Sequence, residues 1–220
     1  MNTNGLFVVL LVALLVAIAT KAVGAEPAVF ATIKLGNEMA SDAEFSPDGK
    51  RLAYIQDGEK IVVWDVAKKE ATVLSETKCL YGLIWPDDKF LYARCLNAVY
   101  RIDAATGERT KLYVHDEKSG REVTAIKYIP EKKQLVSGSS DGSIVVWDAE
   151  KDKLVKKLKC PDEGLVFDLQ PVPGTSKLAV AASLSTTPAD KPNVIKVRSV
   201  LYTADLTDGT FTMAIDPAKS

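Results

Sequence analysis

Residues Gly142–Asp148 read G-S-I-V-V-W-D, and this stretch decides how the chain folds. It is a run of β-branched apolar residues that ends in a Trp-Asp pair and begins at the turn dipeptide Asp141-Gly142. Residues Ile61–Asp65 repeat the pattern as I-V-V-W-D behind Asp57-Gly58. One strand-and-turn unit of this size cannot bury its apolar face alone. Its recurrence therefore predicts sheets that pack against one another.

Four repeat units become visible when the chain is aligned on the turn before each second strand. The units read F-S-P-D-G-K-R-L from Phe45, I-W-P-D-D-K-F-L from Ile84, Y-I-P-E-K-K-Q-L from Tyr128 and, more loosely, L-Q-P-V-P-G from Leu169. The matching leucines are Leu52, Leu91, Leu135 and Leu178, spaced 39, 44 and 43 residues apart. A period of about 40–45 residues with several strands per unit is typical of β-propellers.

A third strand in each unit ends at an aspartate. These repeat positions are Trp64 and Asp65, Asp103, Trp147 and Asp148, and a degenerate Asp205; Asp141 holds the turn of unit three. The runs Ile61–Trp64 and Ile144–Trp147 show no polar alternation, which predicts burial on both faces. The sequence thus predicts an all-β fold, a β-propeller of about four four-stranded antiparallel blades. A closed small ring, a partial propeller and half of a dimeric ring all fit this prediction.

The predicted propeller domain spans residues 26–220, with units at about 36–75, 76–114, 121–159 and 160–215. Val29–Leu35 is predicted to add a strand before unit one. The segment Gly138–Gly142 is rich in glycine, but its position between two strands predicts a hairpin turn rather than a phosphate-binding loop.

The N-terminal segment, residues 1–25, is predicted to be a signal peptide or an uncleaved membrane anchor. Leu6–Ala19 is apolar and reaches only ~21 Å as a helix, short of the ~30 Å hydrocarbon core. Val23-Gly24-Ala25 supplies small residues for a cleavage site. We therefore expect a secreted or periplasmic protein, with membrane attachment only if this segment stays uncleaved.

Charge and residue usage argue against several function classes. The 28 basic and 29 acidic residues balance, which is unlike a nucleic-acid-binding domain. One histidine and no recognised catalytic or metal-binding motif indicate a non-enzyme without a cofactor or metal. The alternative is a propeller enzyme, or a ligand or metal binder, that uses carboxylates near the first strands. These carboxylates are Asp42, Glu44, Glu163 and Asp168.

The cysteines Cys79, Cys95 and Cys160 match no zinc spacing. A hairpin that turns near Asp87-Asp88 would place Cys79 and Cys95 almost opposite each other, at Cα separations of ~4.5–5.5 Å. The sequence therefore leaves two readings open: a Cys79–Cys95 disulfide, or three small buried apolar side chains.

Together these segments resemble the WD-repeat (G-protein-β-like) β-propeller family. The resemblance rests on Phe45–Leu52, on the Asp-Gly turns, and on V-V-W-D at Val62–Asp65 and Val145–Asp148. Units one and three match closely, whereas units two and four are eroded and the usual Gly-His pair before the first strand is missing. The resemblance implies a platform for a protein partner of unknown identity. A homodimer and a degenerate propeller fragment are the other expectations that remain open.

The resemblance also implies a hydrogen-bonded tetrad, which only unit three could form. Its members would be His115, Asp141, Ser137 or Ser139, and Trp147. The alternative is a solvated loop histidine.

Unit four carries an insertion between its second and third strands, centred on Ser185–Asn193. In the family this connection lies on the face commonly used for partners. The candidate partner-binding residues are therefore Thr187, Pro188, Asp190 and Lys191, and the alternative is a neutral surface insertion.

Overall fold

The computed structural model describes Ile33 and residues 38–76, 81–116, 120–161, 164–186 and 196–215. Within these ranges the chain forms four antiparallel sheets, each of four strands taken in chain order. Sheet 1 contains β1 (Ala40–Phe45), β2 (Arg51–Gln56), β3 (Lys60–Asp65) and β4 (Glu70–Glu76). Sheet 2 contains β5 (Tyr81–Ile84), β6 (Phe90–Cys95), β7 (Ala98–Asp103) and β8 (Arg109–Val114).

Sheet 3 contains β9 (Val123–Ile129), β10 (Gln134–Ser139), β11 (Ser143–Asp148) and β12 (Lys153–Lys159). A short 3₁₀ helix, Pro130–Lys132, joins β9 to β10. Sheet 4 contains β13 (Leu165–Pro171), β14 (Lys177–Thr186), β15 (Lys196–Asp205) and β16 (Phe211–Ile215). The predicted unit and domain boundaries remain predictions, and residues 1–25 and most of Val29–Leu35 lie outside the described residues.

Turn chemistry explains why the strands end where they do. Asp57 and Gly58 both have positive φ, at 53° and 69°, in the loop between β2 and β3. Aspartate tolerates this left-handed conformation and glycine adopts it freely. In sheet 3, Gly138 and Ser139 belong to β10, and the turn begins only at Ser140. The prediction that Gly138 lies in the hairpin turn is therefore wrong.

Three apolar cores fill the spaces between successive sheets in the described part of the chain. Ile55 and Ile61 of sheet 1 meet Leu91 and Ile102 of sheet 2, and all four are 0% exposed. The second core joins Tyr92 and Val99 to Val123, Ile126 and Leu135. The third joins Val136, Ile144 and Val146 to Leu178, Val180 and Tyr202. The cores lie between the sheets because strands of the sheets carry apolar side chains on both faces.

The first strands of successive sheets lie side by side. β1 contacts β5, β5 contacts β9, and β9 contacts β13. In β11, alternate residues face opposite neighbours: Trp147 packs toward sheet 2, and Ile144 and Val146 pack toward sheet 4. Burial on both faces, predicted from the unbroken apolar run, is therefore confirmed for this strand.

In sheet 4, β14 and β15 are ten residues long, whereas the second and third strands of the other sheets have six. They pair without interruption from Lys177↔Asp205 to Thr186↔Lys196. The extra residues of unit four therefore lengthen the strands that flank the insertion. No described helix is long and apolar enough to cross a membrane.

Candidate functional site

Aspartates at the ends of the third strands fix the turns that follow. Oδ1 of Asp103 accepts hydrogen bonds from the backbone N–H groups of Ala105 and Thr106, at 2.9 and 2.8 Å. Asp65 accepts equivalent bonds from the backbone N–H groups of Ala67 and Lys68. Asp148 accepts them from Glu150 and Lys151, and Asp205 accepts one from Thr207. These backbone donors lower the pKa of each carboxyl group. The repeated aspartate therefore serves to hold a turn rigid.

The tryptophans of the repeat occupy equivalent register positions. Trp64 lies opposite Leu52, and Trp147 lies opposite Leu135. The rings of Trp147 and Tyr113 are 4.9 Å apart, so a strand of sheet 2 packs on the third strand of sheet 3. Trp147 Nε1 is buried and has no hydrogen-bond partner among the described residues.

His115 lies in a buried polar cluster between sheets 2 and 3. It is 2% exposed, and its Nδ1 and Nε2 atoms are each 2.7 Å from a serine hydroxyl, Ser143 Oγ and Ser137 Oγ respectively. The Tyr113 hydroxyl is 2.9 Å from Ser137 Oγ. The alternative of a solvated loop histidine is therefore wrong.

The cluster matches the predicted tetrad only in part. Ser137 contacts His115 as predicted, and Asp141 Oδ1 accepts the Ser143 backbone N–H at 2.7 Å. Trp147 contributes ring packing without donating a hydrogen bond to any described residue. Sequence reasoning missed Tyr113 and Ser143. The only signal for Ser143 is its place directly after Asp141-Gly142, and no pattern marks Tyr113.

Burial makes the histidine a weak base. Loss of hydration lowers the His115 pKa to about 4; the nearby Asp141 carboxylate opposes this shift and Lys157 adds to it. The imidazole is therefore neutral at physiological pH. It can accept from one serine and donate to the other, which is a structural role between two sheets.

A cleft of about 630 Å³ opens between sheets 2 and 3 at the end of the strands that carries the β5–β6 and β11–β12 turns. We call it the inter-sheet cleft. It is lined by Asp87, Asp88, Lys89, Phe90, Tyr92, Arg101, Tyr128, Lys133, Ala149 and Glu150. The described connections between second and third strands lie at the opposite end of the sheets.

Charged groups of the inter-sheet cleft surround an aromatic floor. The guanidinium of Arg101 lies 4.8 Å above the Phe90 ring and forms a 3.6 Å ion pair with Asp152. Lys89 Nζ lies 4.8 Å from the same ring. Lys133 Nζ donates to Glu150 Oε1 on the other wall. Two cations of the protein therefore lie against the Phe90 ring.

Of the carboxylates proposed to line a central channel, the described ones, Asp42, Glu44 and Asp168, do not gather into a metal site. Lys127 Nζ of β9 is 3.7 Å from Asp168 Oδ1 of β13. Burial raises the pKa of Glu44 on β1, while the Lys127 charge opposes that shift. Glu163 lies outside the described residues. Among the described residues, no group of three or more His, Cys, Asp or Glu side chains could hold a metal ion.

Several predicted site residues cannot be placed. Thr187, Pro188, Asp190 and Lys191 lie outside the described residues, so their partner-binding role stays a prediction. Cys79 also lies outside them, and its disulfide to Cys95 likewise stays a prediction. Cys160 is 1% exposed in the core between sheets 3 and 4.

The fold and these sites define the class of protein. Four four-stranded antiparallel sheets, packed side by side with their first strands adjacent, form a β-propeller of four blades. Residues 108–148 match the model of the family "WD domain, G-beta repeat". The match begins just before β8, the last strand of sheet 2, and ends with β11, the third strand of sheet 3. It therefore spans parts of two sheets. With the propeller architecture, it confirms the resemblance to the WD-repeat β-propellers.

Solved structures support the same fold. The chain is similar to the β-propeller domain of Cps50 (Swd1) from Myceliophteria thermophila, with a TM-score of 0.56 and 15% identity over 87% of this chain and 78% of that one. It is also similar to the computationally designed Ika4 protein, with a TM-score of 0.52 and 20% identity over 73% of this chain and 90% of that one. At these identities the likeness shows the fold alone. No curated protein matches the chain.

Proposed function

We propose that this protein is a non-catalytic interaction platform for a protein partner, and that it works outside the cytoplasm. WD-repeat propellers are typical interaction scaffolds, which supports the first part of the proposal. The observation that carries it is the set of capped turns: an aspartate at the end of each third strand binds the backbone of the next turn. Loops held in place by rigid sheets lose little conformational entropy when a partner binds.

The location is proposed from the N-terminal sequence alone. Residues 1–25 have the apolar length and the small residues before Glu26 that are typical of a cleaved signal peptide. An uncleaved segment would instead anchor the propeller to a membrane.

The rival function is catalysis or ligand binding in the central channel. Lys127 lies beside Asp168 and within electrostatic reach of Glu44, so an ammonium group already offsets these carboxylates. The described residues therefore give this rival no specific support.

The test of the platform uses the insertion of unit four. Ser185 and Thr186 pair with Val197 and Lys196 inside the β14–β15 ladder, so the deletion should begin at Thr187 and end at Asn193. The protein without its first 25 residues is used as bait in an extracellular or periplasmic fraction. The captured partner is then identified, purified and titrated by calorimetry.

We expect saturable binding by the parent protein and weaker binding by the deletion variant, with an unchanged Tm. A collapse of Tm in the deletion variant would show that the insertion is structural. Absence of saturable binding by any purified partner would contradict the platform itself.

A further inference from the structure

One side of sheet 1 is buried, although none of the three described cores contains it. Ala53 and Ile55 of β2 point into the core with sheet 2. The alternate residues of β2 and their partners on β3 form the opposite side, which we call the outward face of sheet 1. Its members are Leu52, Tyr54, Gln56, Val62 and Trp64. Trp64 is half-buried and the other four are buried, so another part of the chain lies on this face.

Sheet 4 is the first candidate, because a closed ring would place it beside sheet 1. The contacts between first strands run from β1 to β5, from β5 to β9 and from β9 to β13. Val197 of β15 and Ile215 of β16 lie on the face of sheet 4 away from sheet 3, and both are exposed. A sheet that packs on sheet 1 would cover such apolar side chains. Sheet 4 therefore does not account for the burial of the outward face.

The chain enters sheet 1 directly beside this face. Met39 accepts the Asp57 backbone N–H through its carbonyl and donates its own N–H to Asp57 Oδ1, both at 2.9 Å. Met39 is therefore fixed at the turn between β2 and β3, close to the end of β2 that follows Tyr54. The charge of Glu38 adds to burial in raising the pKa of Tyr54, so Glu38 lies within electrostatic reach of that hydroxyl. The residues before Met39 thus approach the outward face.

Residues 29–35 have the pattern that such a face requires. They read V-F-A-T-I-K-L, with an apolar side chain at every second position. In an extended conformation Val29, Ala31, Ile33 and Leu35 share one side, which we call the apolar side of the segment. Seven extended residues span ~23 Å, about the length of the six-residue strand β2. Ile33 is described, is partly buried and belongs to no strand, so side-chain packing and not strand pairing covers it.

We propose that residues 29–35 lie extended across the outward face of sheet 1, with their apolar side packed on it. This inference goes beyond the platform function and does not depend on it. Leu35 is four residues from Met39, so it lies within ~14 Å of the β2–β3 turn and adds little loop-closure entropy. The segment covers the first repeat as a terminal repeat requires. It also removes an apolar patch that would promote association.

Contacts between methyl groups and aromatic rings test this proposal in the unaltered protein. The chain recovered from a secreting host is labelled at the methyl groups of isoleucine, leucine and valine. Nuclear Overhauser effects from these groups to the rings of Tyr54 and Trp64 are then recorded by NMR. We expect effects from the methyl groups of Ile33 and Leu35.

Other occupants of the outward face give different contacts. Effects from Leu201 or Ile215 would assign the face to sheet 4, and effects from residues 6–19 would assign it to the N-terminal apolar stretch. Effects between two differently labelled chains would assign it to a second copy. Each of these results, without contacts from residues 29–35, would overturn the proposal, as would the absence of any effect.

Two neighbouring substitutions form a matched pair. Ile33→Asp places a charge on the apolar side of the segment, whereas Thr32→Asp places the same charge on the opposite side. Ile33→Asp should raise the rate at which hydroxyl radicals modify Tyr54 several-fold, and Thr32→Asp should leave that rate unchanged. Tyr92, buried between sheets 2 and 3, is the internal control and should stay protected in both variants.

Equal modification of Tyr54 in the two variants, with Tyr92 protected, would also overturn the proposal. If Ile33→Asp exposes Tyr92 as well, the variant has unfolded and the methyl contacts of the unaltered protein decide. The platform function is tested separately by partner binding to the deletion variant, so either inference can fail while the other stands.

Discussion

At the scale of single residues, this propeller uses polar side chains to join neighbouring structural units. Ser137 of β10 contacts both His115, which follows β8, and Tyr113 within β8. All three side chains lie between sheets 2 and 3. The hydrogen bonds are directional, so they fix the position of one sheet on the next more narrowly than apolar packing does.

The buried histidine makes a prediction about pH. Above about pH 6.5 the imidazole is neutral in both the folded and the unfolded chain, and His115 adds no penalty. As the pH falls toward 4, the unfolded chain takes up a proton before the folded one, because the folded-state pKa is only about 4. The free energy of unfolding should fall by up to about 3 kcal/mol across this window. Urea unfolding at a series of pH values measures it.

His115→Gln is the matched control for this slope. Glutamine can still hydrogen-bond to a serine but does not titrate, so the variant should lose the part of the pH dependence that His115 causes and keep the part that the carboxylates cause. An imidazole that titrates near 6.5 in an NMR experiment on the wild-type protein would contradict the buried, neutral assignment.

Trp147 makes a second prediction at this scale. Trp147→Ala should lower the free energy of unfolding by about 3 kcal/mol, since it removes a large side chain from the core between sheets 2 and 3. Trp147→Phe should lose much less, because Nε1 has no described partner and a ring would still face Tyr113. A loss below about 1 kcal/mol in the alanine variant would show that the ring contributes little packing. Thermal and urea unfolding provide the measurement.

At the scale of elements, the close approach of sheets 3 and 4 depends on a glycine. A Cβ atom added at Gly138 would lie 2.4 Å from Val166 Cγ1 and 3.3 Å from Leu169 Cδ1. Both neighbours are buried in the third core, so they have little room to move. Glycine is therefore required at this position of β10 because a larger residue would clash with Val166 of β13, and not because a turn needs it.

Gly138→Ala should destabilise the protein by about 1–3 kcal/mol through overpacking. In the background of Val166→Ala, which removes the clashing methyl groups, the same change should cost much less. A double-mutant cycle measured by urea unfolding isolates this coupling. Strictly additive losses would mean that the two residues do not meet across the sheets.

At the scale of the whole molecule, the question is how the outward face of sheet 1 is covered. Leu52, Tyr54 and Val62 point away from the core with sheet 2, yet they are only 5%, 4% and 2% exposed within a single chain. In sheet 4, Val197 and Ile215 lie on the face away from sheet 3 and are 66% and 57% exposed. The outward face of sheet 1 is therefore already buried within one chain, without a second chain.

We therefore expect a single chain per particle in solution, measured by light scattering during gel filtration. A mass of two chains would instead support a ring completed by a homodimer, with Val197 and Ile215 at the contact. The mass of the polypeptide recovered from a secreting host also tests cleavage after Ala25. Retention of residues 1–25 would contradict the signal peptide.

Local patterns in the sequence were sufficient for the number of repeat units and for most of the turn positions; the turn predicted at Gly138–Gly142 begins two residues later. The Trp-Asp strand ends, the Asp-Gly turns and the period near 40–45 residues each depend on residues close together in the chain. The aspartate caps follow from the same short range, since donor and acceptor are separated by two or three residues. These features were therefore predictable without knowledge of how the sheets pack.

Contacts between sheets could not be predicted in this way. Tyr113 reaches Ser137 across 24 positions, and Gly138 meets Val166 across 28. The inter-sheet cleft joins Phe90 and Arg101 of one sheet to Tyr128 and Lys133 of the next. The sequence by itself determined the repeating sheet and its turns, because hydrogen bonds and φ preferences act over a few residues. Only the tertiary structure decided which side chains are left without partners between the sheets, because that depends on how two separately formed surfaces meet.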